Sequence, residues 1–175
     1  KYIPSKEQMN LTEYYGQPAE GEMVLVLGTD IMEERALKSG DQIYLPQDIV
    51  STYLNQRYYW DSGNQQILYA TPSSLEKFPA SEAGDGEVWV RDGKVYLSLS
   101  FVQKYTDLDF YEYQEPARVV IRHEFTGVNV ATVKKDTSIR YRGGIKSPVL
   151  TEVKKGDTLI YMQALEDWVQ VSTMD

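Results

Sequence analysis

Apolar and polar positions fall in short bursts along this chain, and the bursts recur. Met23–Leu27 is a continuous apolar run of strand length, which predicts a buried strand. Gln42–Leu45 predicts another. Pro46 follows and suits the first turn of a helix, where its missing N–H costs little. Ile49, Val50, Tyr53 and Leu54 then fall on one helical face. Asn55 can close that helix in a left-handed conformation. Arg57–Trp60 and Gln65–Ala70 read as strands around the turn Asp61-Ser62-Gly63-Asn64.

The same pattern returns 52 residues later. Tyr44/Tyr96, Leu45/Leu97, Val50/Val102, Tyr53/Tyr105 and Tyr59/Tyr111 are identical, and apolar positions match between them. A repeated unit of this length predicts a scaffold built by pairing copies. In the second copy, Glu87–Val90 and Lys94–Leu97 flank Arg91-Asp92-Gly93, a hairpin signal. Ser98 is placed to cap a helix whose inner face is Phe101, Val102 and Tyr105. Phe110–Tyr113 and Arg118–Arg122 complete the copy around a turn at Glu115-Pro116. Each copy reads β–β–α–β–β, with Met23–Leu27 as the first strand of the first. Each is too small to bury a core alone, so the two are expected to fold as one compact unit. Trp60 is expected to fill the gap between strand and helix.

The rest is less regular. Lys1–Glu20 reads as a polar arm, Gly28–Asp41 as a loop with a helical turn around Met32–Leu37, and Thr71–Gly86 as a link. After Gly127 the helix pattern disappears. Val128–Val133, Thr137–Tyr141, Val149–Val153, Thr158–Gln163 and Trp168–Thr173 are short strands. Gly143-Gly144, Lys155-Gly156-Asp157 and Glu166-Asp167 supply the turns, which predicts a small barrel or sandwich. The expected fold class is α+β. An arm (1–21) leads into a tandem-repeat sheet-and-helix domain (22–126), and a small all-β barrel (127–175) follows.

Composition narrows the chemistry. Net charge is −8. Residues 128–175 carry seven basic and six acidic groups, so the excess acid lies in the rest. An acidic surface without clustered Lys and Arg argues against a nucleic-acid partner. Fourteen tyrosines against four phenylalanines suggest strands with half-exposed faces. There is no cysteine, which excludes disulfides and thiolate metal sites. Its absence fits a secreted protein of a Gram-positive bacterium, although many cytosolic proteins also lack it. Residue 1 is Lys, which fits a mature fragment with its leader removed. No run of about 18 apolar residues predicts a membrane span.

No catalytic set emerges. His123 is the only histidine and Glu124 its one close acidic neighbour, so neither a metal site nor a Ser/His/Asp set is expected. No cofactor is expected. Asp61, Asp107 and Asp109 are carboxylates without the spacing of a glycosidase pair; Asp61 is expected to open a turn and Asp107 to end a helix. Gly84-Asp85-Gly86 lacks the Lys-Ser/Thr of a phosphate loop. The remaining candidate is a binding surface on the last module. Tyr141, Trp168 and Tyr161 could form a ligand groove, with Arg140 or Arg142 pairing a carboxylate. The competing expectation packs Trp168 in the core and leaves Tyr141 exposed.

Two segments resemble known families. Tyr44-Leu45-Pro46, Ile49-Val50, Tyr58-Tyr59-Trp60-Asp61 and Ile67-Leu68-Tyr69 resemble the copper amine oxidase N-terminal-like (stalk) domain. The second copy departs from that pattern at Ser98 and at Glu112-Tyr113. The resemblance implies a non-catalytic sheet-and-helix domain and brings no copper with it. Residues 128–175 resemble a bacterial SH3-like domain through Ala131–Thr137, Val153–Asp157 and Asp167–Val171. That family closes with a further strand, which the chain ends without. Stalk repeats before such a module resemble the region ahead of the catalytic barrel in clostridial family 18 glycoside hydrolases. This implies a secreted or surface-anchored accessory region, with peptidoglycan or another glycan and a downstream catalytic domain as partners. The alternative is a purely structural adaptor without a ligand; an independent hydrolase ranks below both.

Overall fold

The computed structural model describes residues 3–123, 130–165 and 168–173. The chain divides into two units. One spans Pro18–Glu124, and the other joins Lys1–Gln17 to Phe125–Asp175. Strands hold 48% of the described residues and helices 13%, so the α+β class is weighted towards β. The chain opens with helix α1 (Leu11–Tyr15), which belongs to the smaller unit.

In the larger unit the apolar run becomes strand β1 (Glu22–Leu27), buried on both faces over Met23–Val26. It pairs with the short β2 (Asp30–Ile31) and with β3 (Ala36–Ser39). The helical turn expected around Met32–Leu37 is absent: residues 32–35 are irregular and Ala36-Leu37 open β3. Ala36 and Leu37 favour helix locally, but both are buried between two partner strands, and pairing overrides propensity. β3 turns through Gly40-Asp41 into β4 (Gln42–Pro46), with Leu37 opposite Tyr44. Gly40 has φ of 59°, the left-handed geometry that favours glycine. It is thus β3, not β1, that forms the hairpin with β4.

Helix α2 (Gln47–Ile49) runs on as a wider, π-type turn over Val50–Leu54, closed by the Asn55 N–H donating to the Val50 carbonyl at 2.8 Å. The wider turn advances each residue by a smaller angle than an α-helix does. Leu54 consequently packs against the core while Tyr53, expected on the inner face, is 57% exposed. Asn55 is extended (φ −160°) rather than left-handed.

Strands β5 (Tyr58–Asp61), β6 (Gln66–Ala70) and β7 (Leu75–Pro79) form a separate three-stranded sheet. β7 lies in the stretch read as a link. Phe78 is its one buried residue, so it shows no apolar alternation. Strand β8 (Val88–Arg91) turns through Asp92-Gly93, both at positive φ, into β9 (Lys94–Ser98). Helix α3 (Leu99–Tyr105) starts where expected, with the Phe101 N–H donating to Ser98 Oγ at 3.2 Å. Strands β10 (Leu108–Gln114) and β11 (Ala117–His123) follow, and Phe110 faces Ile121. The large sheet runs β10-β11-β1-β3-β4-β9-β8, parallel only at β1–β11. At its centre β4 and β9 pair antiparallel with Leu45 opposite Leu97.

One hydrophobic core draws on every element of the larger unit but β2. It joins Ile49 and Val50 to Phe101 and Val102, with Tyr58, Ile67, Leu97 and Val119. Burying each aliphatic side chain contributes about 1.5–3 kcal/mol. Trp60 is half-buried against it. Tyr44, Tyr58 and Tyr69 are buried, while Tyr59 and Tyr111 lie exposed on their strands and Tyr96 and Tyr113 are half-buried, as the tyrosine content suggests. Tyr58 is fully buried, its hydroxyl reaching the Phe101 and Val102 carbonyls at 2.9 and 3.0 Å. Tyr69 stacks on Tyr105 with centroids 4.0 Å apart.

The smaller unit holds strands β12 (Val130–Thr132), β13 (Thr137–Arg140), β14 (Val149–Val153), β15 (Thr158–Leu165) and β16 (Trp168–Ser172). They form the sheet β12-β15-β16 and the pair β13-β14. Among the described residues these sheets do not close into a barrel. Val133, Val153 and Leu159 form the core, with Ile139 and Val171 against it. The expected Lys155-Gly156-Asp157 turn is present, with Gly156 at φ 97° and the Lys154 N–H donating to Asp157 Oδ2 at 2.9 Å. The Glu166-Asp167 turn and residues 128–129 lie outside the described residues. Within the segment read as an arm, Gln8 bridges Val149 in parallel, and α1 follows under a cap from Asn10.

Candidate binding cleft

The sequence candidates Arg140, Tyr141, Arg142 and Trp168 come together in the smaller unit, around a cleft of about 560 Å³. β13 delivers Arg140 to its end, and a bulge at Ile139/Arg140 re-aims the chain there. The loop 141–148 is held by its own bonds. The Tyr141 N–H donates to the Pro148 carbonyl and the Arg142 N–H to Ser147 Oγ, both at 2.9 Å. Gly143 lets this loop approach β16: a Cβ there would lie 3.2 Å from Trp168 Cγ. The indole is half-buried and belongs to the cleft wall, not to the core cluster. The core expectation for Trp168 is thereby corrected; the ring lies against Gly143 in the wall of the cleft. Tyr161 has no described side chain.

The two arginines differ. Arg140 Nη1 donates to the Ser147 carbonyl at 2.8 Å and the Ser5 carbonyl at 3.2 Å. Through Nη1 it ties the loop and the N-terminal segment to β13. Arg142 is exposed, with its guanidinium 5.3 Å from the Tyr141 ring centroid. That contact holds it beside the aromatic face. Tyr141 itself is 41% exposed.

Tyr14 also lines the cleft. It meets Tyr141 edge-on, with ring centroids 6.1 Å apart at 87°. Nothing in the polar pattern of residues 1–20 places it there. A second cleft of about 520 Å³ shares the wall Tyr141–Gly143 and is bordered by Glu7 and Glu13.

The other candidates serve structure. Asp61 accepts from Gln66 Nε2 and Asn64 Nδ2 at 2.9 Å each. These bonds, that from Gln66 first, hold its carboxyl below the usual aspartate range. His123 Nδ1 lies 2.9 Å from the Asp107 carbonyl, which requires the proton on Nδ1. None of Asp61, Asp107 and Asp109 lines either cleft. Among the described residues no group of three His, Cys, Asp or Glu is placed to hold a metal ion. No helix there is long and apolar enough to cross a membrane. No family model, curated protein or solved structure matches the chain. The geometry on the page is an aromatic cleft with the exposed guanidinium of Arg142 in its wall.

Proposed function

We propose that the chain is a non-catalytic accessory region of a secreted or surface-anchored bacterial polysaccharide-active enzyme, of the family 18 glycoside hydrolase type. On this reading the smaller unit is an SH3-like module that binds cell-wall glycan weakly, and the larger is a stalk-like spacer of two copies. The downstream catalytic domain lies in the same parent protein, outside a Gram-positive cell.

The observation that carries the binding role is the cleft walled by Tyr141 and Trp168, with Arg142 at its edge. Flat aromatic faces stack on sugar rings, and Arg pairs carboxylates. The spacer role draws support from strand register. Leu37 faces Tyr44, and 52 residues on Trp89 faces Tyr96. Tyr58 faces Tyr69, and 52 residues on Phe110 faces Ile121. Leu45 and Leu97, equivalent in the two copies, face each other across β4–β9, as a local two-fold axis requires. This register supports reading each copy as β–β–α–β–β beginning at β3 and β8 rather than at β1.

Co-sedimentation of the purified protein with peptidoglycan tests the binding role. The protein should pellet with the wall and Tyr141→Ala should stay in the supernatant. Both remaining in the supernatant would favour the adaptor reading. That reading has its own observation: Tyr59 and Tyr111, equivalent in the two copies, are 65% and 46% exposed.

A further inference from the structure

The N-terminal segment lies far from the cleft in sequence, yet it supplies part of the wall. The Met9 N–H donates to the Val149 carbonyl, and the Val149 N–H donates back to the Glu7 carbonyl, both at 2.9 Å. Arg140 holds the Ser5 carbonyl from the other side. A five-residue helix does not persist on its own. Here the Glu13 N–H donates to Asn10 Oδ1 at 2.8 Å, and Gly16 ends the helix with φ of 82°. The result is a fixed Tyr14, 38% exposed, edge-on to Tyr141 across the cleft. A tyrosine ring held in this way offers contact area at little entropic cost.

Charge then selects the ligand. Among the described residues no Asp or Glu lines the Tyr14–Tyr141–Trp168 cleft. Arg142 does, and its guanidinium has no hydrogen-bond or ion-pair partner among the described residues. A planar guanidinium fork matches a carboxylate. The aromatic faces beside it match the apolar face of a sugar ring. We infer that Tyr14 is a ligand-contacting residue of this cleft, and that the cleft takes a carboxylate-bearing glycan with the carboxylate on Arg142. The inference rests on the glycan reading of the cleft and adds to it a third aromatic wall and the acidic ligand class.

Isothermal titration of the full chain tests it, with the disaccharide N-acetylglucosaminyl-N-acetylmuramic acid as probe and its methyl ester as the uncharged control. The acid should bind, and the ester should bind at least tenfold more weakly. Tyr14→Ala should lose at least tenfold in affinity for the acid, and Tyr14→Phe should keep it. The Val149 amide resonance reports whether the segment is still seated. If Tyr14→Ala shifts it, Tyr14→Leu, which keeps apolar volume without the ring, decides in its place. Unchanged affinity in the variant with the segment seated, alongside loss in Tyr141→Ala, overturns the role of Tyr14 and leaves the glycan site standing. Equal affinity for acid and ester overturns the carboxylate. No binding of either probe by the unsubstituted protein overturns this inference and the glycan reading together.

Discussion

Tyr58 and Tyr141 are the same residue type put to opposite uses. In the larger unit Tyr58 is sealed between β5 and α3, and its hydroxyl reaches two helix carbonyls. Burial pushes its ionisation well above that of a free tyrosine. In the smaller unit Tyr141 stands 41% exposed on a loop, flanked by Tyr14 and Arg142. The larger unit uses its aromatic rings and hydroxyls to join helix to sheet. The smaller unit has a core of a few aliphatic residues and keeps its aromatics at a cleft. On the proposed function, the difference separates a part that supplies stability from a part that meets a ligand.

The sharpest way to break this contrast is to truncate both tyrosines. Tyr58→Ala should destabilise the larger unit by about 3–5 kcal/mol, the cost of an aromatic cavity, as measured by urea unfolding. An effect below about 1 kcal/mol would deny Tyr58 its place in the core. Asn55 is next. Its side-chain amide donates to Thr106 Oγ1 at 2.9 Å and Tyr69 Oη at 3.1 Å, and its Oδ1 accepts from the Arg57 N–H at 3.0 Å. It ties the π-type turn to the end of α3. Asn55→Ala should cost about 1–2 kcal/mol in the same assay. Tyr141→Ala should change stability by less than about 0.5 kcal/mol, as an exposed surface site does. A loss comparable to that of Tyr58→Ala would make Tyr141 structural.

The smallest expected effect is on pH dependence. The Asp61 carboxyl is lowered in the folded protein by its bonds from Gln66 and Asn64. The stability it contributes is present above the unfolded aspartate value and is lost as pH falls through the lower folded value. Asp61→Asn should therefore lie below the unsubstituted protein at pH 7 and converge with it as pH falls through the lowered folded value. A constant gap across that range would assign the difference to something other than ionisation.

What the sequence shows and hides follows the range of the interactions. The Asp92-Gly93 hairpin and the Ser98 cap are local, and both stand where residue chemistry puts them. β3 is hidden because Ala-Leu-Lys-Ser favours helix until β1 and β4 flank it. β7 is hidden because only Phe78 faces inward. The exposure of Tyr53 depends on a π-type turn that an i, i+4 pattern does not anticipate. At the cleft, Tyr141, Arg142 and Trp168 were legible as aromatics and cations beside a Gly-Gly turn. The engagement of Arg140 with Ser5, 135 residues away, was not, and neither was the arrival of Tyr14. No local pattern encodes contacts at that separation.

The central claim is a division of labour: the smaller unit binds and the larger one spaces. Hydrogen–deuterium exchange on the intact chain, with and without soluble peptidoglycan fragments, tests it most directly. Protection should appear in residues 137–143 and 168–171 and in α1, while residues 36–70 and 88–122 exchange as before. Protection confined to the larger unit, or none in the presence of wall fragments, would contradict the account.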